Sequence, residues 1–232
     1  ELQRTYWNAW NASHREQRLS DVSLDQREIV LRWLGQLART DLNVLEVGCG
    51  AGWLCPALKQ FGRVTATDLS DEVLARARAR VPDVRFIAGD FMELGFEGQF
   101  DVIVSLEVLS HVADHGAFIA KLNALLRPGG YLMLATQNRP VLERFNTVAP
   151  QQPGHLRRWF NRDELKALLS PHFAVIELTT LTPSASKGPM RLIAGRQTKR
   201  LVRAIAGRGP ENALARAGFG WTLAVLARKP GA

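Results

Sequence analysis

The stretch from Asn43 to Trp53, NVLEVGCGAGW, narrows what this chain can fold into more than any other. Asn43–Val47 is a short apolar run with β-branched residues at Val44 and Val47, the pattern of a strand buried in a parallel sheet. Gly48, Gly50 and Gly52 follow at alternate positions, and Trp53–Phe61 is expected as a short helix. A strand, a glycine turn and a helix bring backbone N–H groups and a positive helix end to one point. Without a Cβ in the way, the chain can turn tightly there and a ligand can approach the backbone.

The spacing of those glycines bears on which ligand. The dinucleotide fingerprint G-x-G-x-x-G needs its last glycine at position 53, which is Trp. The pattern here is E-x-G-x-G-x-G, from Glu46 to Gly52. An acid at its start would repel a pyrophosphate and suits a ligand with a cationic end. A nicotinamide-dependent dehydrogenase is the competing reading on the same kind of fold, and the missing glycine counts against it.

With 232 residues, 46% of them hydrophobic, the chain can bury one sizeable core. It holds no run of 18 apolar residues, so no membrane span is expected. The opening ELQRTYWNAW carries no apolar signal core, and a cytoplasmic protein is the expectation. Cys49 and Cys55 have neither zinc-ligand spacing nor a disulfide framework around them, so reduced, structural thiols are expected and no metal. The net charge of +8 is compatible with nucleic acid, an acidic membrane surface or an anionic substrate. Part of it is concentrated between Lys187 and Arg208, seven basic residues with no acid among them.

Within residues 1–20, Tyr6, Trp7 and Trp10 share one face of a short helix, followed by His14, Arg15 and Arg18. Such a helix could close over a ligand as a lid or simply pack on the domain. Leu24–Leu37 has the spacing of an amphipathic helix, capped by Ser23 or Asp21. Val64–Thr67 is a second strand and ends at Asp68, where a carboxylate can accept from both hydroxyls of a ribose. Capping the next helix, Asp71–Arg80, is the other role open to Asp68, but Ser70 suffices for that. Val84–Ala88 is a third strand leading to Gly89-Asp90-Phe91. Phe100–Leu106 is a fourth, running into Glu107–Val112. A helix over Asp114–Leu126 and a turn at Arg127-Pro128-Gly129-Gly130 precede a fifth strand, Tyr131–Ala135. Asn161 caps a helix over Arg162–Leu169, and Phe173–Leu181 and Trp221–Ala227 are the last two strands. Strands alternating with helices at this spacing imply an α/β domain with a largely parallel sheet, which binds ligands beyond the carboxyl ends of its strands.

From about Asn43 to Gly130 these motifs, in this order, resemble the class I S-adenosylmethionine-dependent methyltransferases. The run FDVIV, then EVLSHV, then LRPGG resembles the branch that includes the ubiquinone and menaquinone biosynthesis methyltransferases. Ser110 stands where that branch often has Glu, which weakens the transfer of a quinone substrate and of an acid cluster for a divalent ion. The resemblance implies a Rossmann-like, doubly wound, seven-stranded and mostly parallel sheet with an antiparallel C-terminal hairpin in a single domain. It implies S-adenosyl-L-methionine as cofactor, held by Glu46, Gly48, Cys49, Gly50, Gly52, Asp68, Leu69, Asp90, Phe91 and Leu106. In it, Asp90 accepts from an adenine amino group while Phe91 packs on the base.

The acceptor is expected to be a small molecule, anionic acceptors included, with oxygen the favoured site of methylation. An oxygen nucleophile wants a base, for which His155 ranks first, with His111, and with Glu107 as orienter or base. His111 lies one turn beyond Glu107 on the same expected helical face. A nucleic-acid methyltransferase is the second reading. Against it, Ser105-Leu106-Glu107-Val108 stands where amino-directed enzymes of the superfamily have [DNS]-P-P-[FYW], and Cys55, before Pro56, sits in the cofactor turn. A non-catalytic cofactor-binding protein is the third. By domain, residues 1–40 are expected as a helical lid and 41–232 as the core, with substrate-side insertions at 138–160 and 182–220. For 187–208 three readings stand open: a cationic substrate cap, a contact with an anionic membrane, or a solvated helix.

Overall fold

The computed structural model describes residues 2–10, 19–153 and 155–231. His14, Arg15, Arg18 and Gly154 lie outside the described residues, as does the side chain of Trp10. The chain runs through helices α1 (Leu2–Trp10) and α2 (Asp21–Gln36), strand β1 (Leu42–Val47), α3 (Cys55–Leu58), β2 (Gly62–Asp68) and α4 (Asp71–Arg80). It continues through β3 (Arg85–Ala88), β4 (Phe100–Leu106), α5 (His115–Leu125), β5 (Leu126–Gln137), α6 (Arg139–Phe145) and α7 (Arg162–Leu169). The last elements are β6 (Ala174–Pro183), α8 (Arg191–Ala194), α9 (Arg196–Ala206), α10 (Gly209–Leu214) and β7 (Gly220–Arg228).

One seven-stranded sheet has the order β3-β2-β1-β4-β5-β7-β6. The first five strands are parallel, and β7 lies antiparallel between β5 and β6. Alternate residues of each buried strand feed two cores. Val44, Val102, Val104 and Met133 point to the face covered by Ile29, Val30, Trp33 and Leu34 of α2. Leu45, Ile103, Leu132 and Leu134 point to the face covered by Phe118, Ile119 and Leu122 of α5 and Leu165 and Leu169 of α7. This is the period-2 logic of a strand with helices on both sides, in one Rossmann-like domain. Among the described residues, no helix is long and apolar enough to cross a membrane.

Three local expectations are corrected. Helix α2 starts earlier than its apolar pattern suggests: Ser20 is the cap, its Oγ accepting from the Ser23 N–H at 3.1 Å. The helix expected over Trp53–Phe61 shrinks to one turn of α3 and a 3₁₀ turn at Lys59–Phe61. Arg127–Gly130 is not a turn before β5 but part of it, at an irregularity in its pairing with β4. Gly130 is needed there, because a Cβ would sit 2.9 Å from the Arg127 carbonyl and 3.1 Å from that of Asp101. Asp101 and Arg127, both in the distinctive sequence run, are structural. The buried Asp101 carboxylate accepts from Arg127 at 3.0 Å, Arg39 at 3.1 Å and the Asn43 N–H at 2.8 Å.

Candidate active site

Gly48 follows β1, Asp68 ends β2, Asp90 follows β3, Glu107 follows β4 and Gln137 ends β5. All five line one cavity of about 840 Å³. It lies where the strand order reverses between β1 and β4, the place at which open α/β sheets take ligands. Its volume is within the range of small-molecule sites.

The glycine turn is folded against its neighbours rather than left open. The Gly48 and Cys49 N–H groups both donate to the Thr67 carbonyl, at 2.8 and 2.9 Å. The Gly50 N–H donates to Asp68 Oδ2 at 2.8 Å, and that of Gly52 to the Cys49 carbonyl. These donors are therefore committed within the protein, and α3, one turn long, adds little dipole. A phosphate cradle needs both. The turn instead positions Asp68. Its other oxygen accepts from the Ser70 N–H at 3.1 Å. Ser70 caps α4 by accepting from Val73 N–H.

Beyond β3, Phe91 presents its ring to the cavity and is backed by Phe118, with ring centroids 5.5 Å apart. Lys121 braces this loop through the carbonyls of Met92 and Leu94. Glu107 has a left-handed backbone, φ 63°, unusual for a side chain of its kind and a mark of a residue held in place for a purpose. Its Oε1 accepts from Gln26 at 2.5 Å and from Thr222 at 3.2 Å. Glu107 and His111 thus do not share a helix. A 3₁₀ turn, Leu109–His111, follows Glu107, and His111 borders the cavity in its own right. His111 Nδ1 lies 2.7 Å from the Leu156 carbonyl, which only accepts, so Nδ1 carries a proton and, in the neutral ring, Nε2 the lone pair.

Of the residues singled out in the sequence, Gly48, Gly50, Asp68, Leu69, Asp90, Phe91, Leu106, Glu107 and His111 line this cavity. Glu46, Cys49, Gly52 and His155 do not. Glu46 is buried and accepts from the Cys55 thiol at 3.1 Å. Gly52 packs on α4 and β3, where a Cβ would lie 3.3 Å from Ala77 and Phe86. Contact with Cys49 and burial push the Cys55 thiol up, so it is inert. His155 stacks on Tyr6 at 4.6 Å, with its ring centroid 5.0 Å from that of His111. Burial and the neighbouring Arg157 hold its pKa below the ordinary histidine value.

Helix α1 covers this histidine pair. Trp7 packs edge-on against His111 at 4.7 Å, and Gln3 donates to the His111 carbonyl at 2.7 Å. Gln3 and Trp7 also border the cavity, as does Leu156 from the 138–160 segment. No described residue of 182–220 does. Residues that the sequence reading passed over include Thr67 and Gln137, each at a strand end, and each with a buried side-chain oxygen that no described residue satisfies. The strand-end rule could have found both. Gln26 was also missed, although it sits on the buried stripe with Ile29, Val30 and Trp33, where a polar residue signals a polar task.

The cavity wall holds four carboxylates, Asp68, Asp90, Glu107 and Asp114, and no Lys or Arg among the described residues. Against a chain charge of +8 this is a strong local reversal, and it favours a cationic ligand. No group of described residues could hold a metal ion.

The family model described as "Methyltransferase domain" matches residues 45–134. Residues 45–134 are thus similar to a methyltransferase domain. The ubiquinone biosynthesis O-methyltransferase of Pseudomonas paraeruginosa is 37% identical over 123 residues, covering 50% of this chain and 53% of the relative. The chain thus spans about half the length of the curated relatives it matches. Among solved structures, the N-methyltransferase NodS of Bradyrhizobium japonicum WM9 with S-adenosyl-L-homocysteine superposes with a TM-score of 0.66. That match has 19% identity over 99% of this chain and 100% of NodS. A Mesorhizobium loti S-adenosylmethionine-dependent methyltransferase gives a TM-score of 0.64 at 21% identity, over 88% and 98% of the two chains. At these identities the likeness is one of fold. The methyltransferase cofactor suits what the wall offers: carboxylates for its cationic end and ribose, a ring at Phe91, and unsatisfied oxygens at Thr67 and Gln137.

Proposed function

We propose that this chain is an S-adenosylmethionine-dependent methyltransferase acting on a small, non-anionic acceptor, with a hydroxyl oxygen as the favoured site. The observation that carries the reading is the acidic wall at the strand ends, with Asp68, Phe91 and Glu107 on one cavity and no Lys or Arg among the described residues that line it. When bound, S-adenosylmethionine supplies a methyl group already activated as a sulfonium. The protein then has to hold the acceptor in line and exclude water, and positioning of this kind is worth about 7–11 kcal/mol. Asp68 serves as ribose acceptor, Asp90 and Phe91 hold the base, and Glu107, fixed by Gln26 and Thr222, orients the polar end of a ligand. His111 Nε2 takes the hydroxyl proton as the acceptor reacts.

The ubiquinone biosynthesis relatives, named as O-methyltransferases, support oxygen as the site. The acidic wall suits an amine acceptor as well, and it disfavours nucleic acid, whose phosphates it would repel. Helix α1 acts as a lid over the acceptor end, and 138–160 contributes to acceptor choice through Leu156.

Calorimetric titration with S-adenosylmethionine and S-adenosylhomocysteine tests the proposal directly. The intact chain should bind both, and Asp68→Ala should weaken binding by about tenfold or more, the usual worth of charge-assisted hydrogen bonds. Transfer of labelled methyl to a panel of phenols and amines then reads out the acceptor class. A well-folded intact chain that binds neither ligand would refute the reading.

A further inference from the structure

Helix α9 is inside out for a solvated helix. Lys199 and Arg203 face the protein, where Arg203 pairs with Glu211 at 2.7 Å and with Asp21 at 3.1 Å, and Lys199 pairs with Asp21 at 3.7 Å. Just after the helix, Arg208 pairs with Asp25 and Glu28 of α2. The outward face instead carries Leu201 and Ile205, four residues apart on one stripe and 63% and 78% exposed. Leu192 and Ile193 of α8 are 77% and 56% exposed. Gly195 joins the two helices so tightly that a Cβ there would lie 2.2 Å from the Arg191 carbonyl. Two consecutive helices thus project four large aliphatic side chains into solvent, with exposed Lys187, Arg191 and Arg200 between and beside them and no acid from Lys187 to Arg208.

We infer that the α8–α9 pair is a docking surface for an anionic lipid membrane, on which the protein lies peripherally. The chemistry that complements this surface is an apolar layer behind a negatively charged plane, which is what such a bilayer presents. A second copy of the chain complements it less well, because a face-to-face pairing would bring Arg191 and Arg200 against other cations. A soluble acidic partner would satisfy the charges and leave the aliphatic side chains without a counterpart. The inference does not depend on the proposed methyltransferase activity, since no described residue of 182–220 reaches the cavity.

The test is flotation of the full chain with vesicles of phosphatidylcholine alone and with roughly one-third phosphatidylglycerol. Each exposed cation near a charged surface is worth about fivefold in partitioning, so three predict about hundredfold preference for the anionic vesicles. The double variant Leu201→Asp, Ile205→Asp should lose at least about tenfold of that binding. Its melting temperature and S-adenosylmethionine binding should stay as in the intact chain. Arg200→Ser, which keeps the apolar stripe, should lose about fivefold. No flotation of the intact chain, or equal flotation of the double variant, would overturn the inference. So would an intact chain that sediments as a dimer, stays off vesicles and becomes monomeric in the double variant, which would assign the surface to a second copy.

Discussion

At the scale of single residues, two histidines 5.0 Å apart at ring centroids have different work. His111 borders the cavity, and its Nδ1 is committed to the Leu156 carbonyl, so in the neutral ring the lone pair is on Nε2. His155 stands behind it, stacked on Tyr6 of α1, and burial and Arg157 lower its pKa. We therefore rank His111 ahead of His155 as base, the reverse of the order the sequence suggests. His111→Ala is expected to lower kcat by about hundredfold or more, with cofactor affinity nearly unchanged. His155→Ala is expected to lower kcat by less than about tenfold and to act mainly on the acceptor KM, because it removes support for α1. Single-turnover methyl transfer with each variant decides the order, and a larger kcat loss for His155→Ala would restore the sequence ranking.

Moving up to elements, the turns after β1 and β4 interlock beside the cavity. Gly48 has φ 74°, and a Cβ on it would lie 2.2 Å from Val108 Cγ2, next to the left-handed Glu107. Gly48→Ala should cost about 2–4 kcal/mol, from an unfavourable backbone and an overpacked contact together. Adding Val108→Ala should return the contact share, roughly 1–3 kcal/mol, and leave the backbone share lost. Urea denaturation of the three variants measures both, and no recovery in the double variant would mean that the backbone alone sets the cost. How well the sequence announces an element depends on where its specification lies. Helix α4, strand β4 and helix α7 were legible to the residue, because local caps and apolar runs define them. Asn161 and Glu164 form a reciprocal capping box that fixes the start of α7. The strand ends gave the outline of the cavity for the same reason. Other features are set by tertiary contact and left no local signal. Cys55 and Glu46 meet across the turn where a longer α3 was expected, Gly130 lets β5 run on through an apparent turn, and the cations of α9 turn inward to acids on α2. The histidine order was hidden because Leu156, 45 residues from His111, selects its tautomer.

For the whole molecule, charge is sorted rather than spread. Cations tie the periphery to the core through acids that lie outside the cavity, and this has a consequence for stability in acid. Burial alone would raise the Asp101 carboxyl, but the Asn43 N–H and the Arg39 and Arg127 guanidiniums outweigh it and hold the pKa below the usual range. Glu177 is likewise raised by burial and lowered further by Arg32 and the Trp33 indole, which join α2 to β6. Asp21, under α9, is lowered by Arg203 and Lys199 against its own burial. In each case the folded pKa lies below the unfolded one. The stabilisation is therefore complete above the ordinary carboxylate pKa of about 4 and is lost as pH falls through the lower folded values. These acids should leave the melting temperature level between about pH 7 and pH 5 and make it fall below about pH 4. Asp101→Asn should destabilise the protein at pH 7 by about 2 kcal/mol or more, because three donors lose a charged acceptor. It should also flatten the acid limb, since the variant has no proton to take up at that position. Thermal melts of the two proteins from pH 7 to pH 3 separate these effects. A variant that is less stable at pH 7 yet falls just as steeply in acid would mean that Asp101 holds the adjoining strands β1, β4 and β5 together without contributing to acid sensitivity.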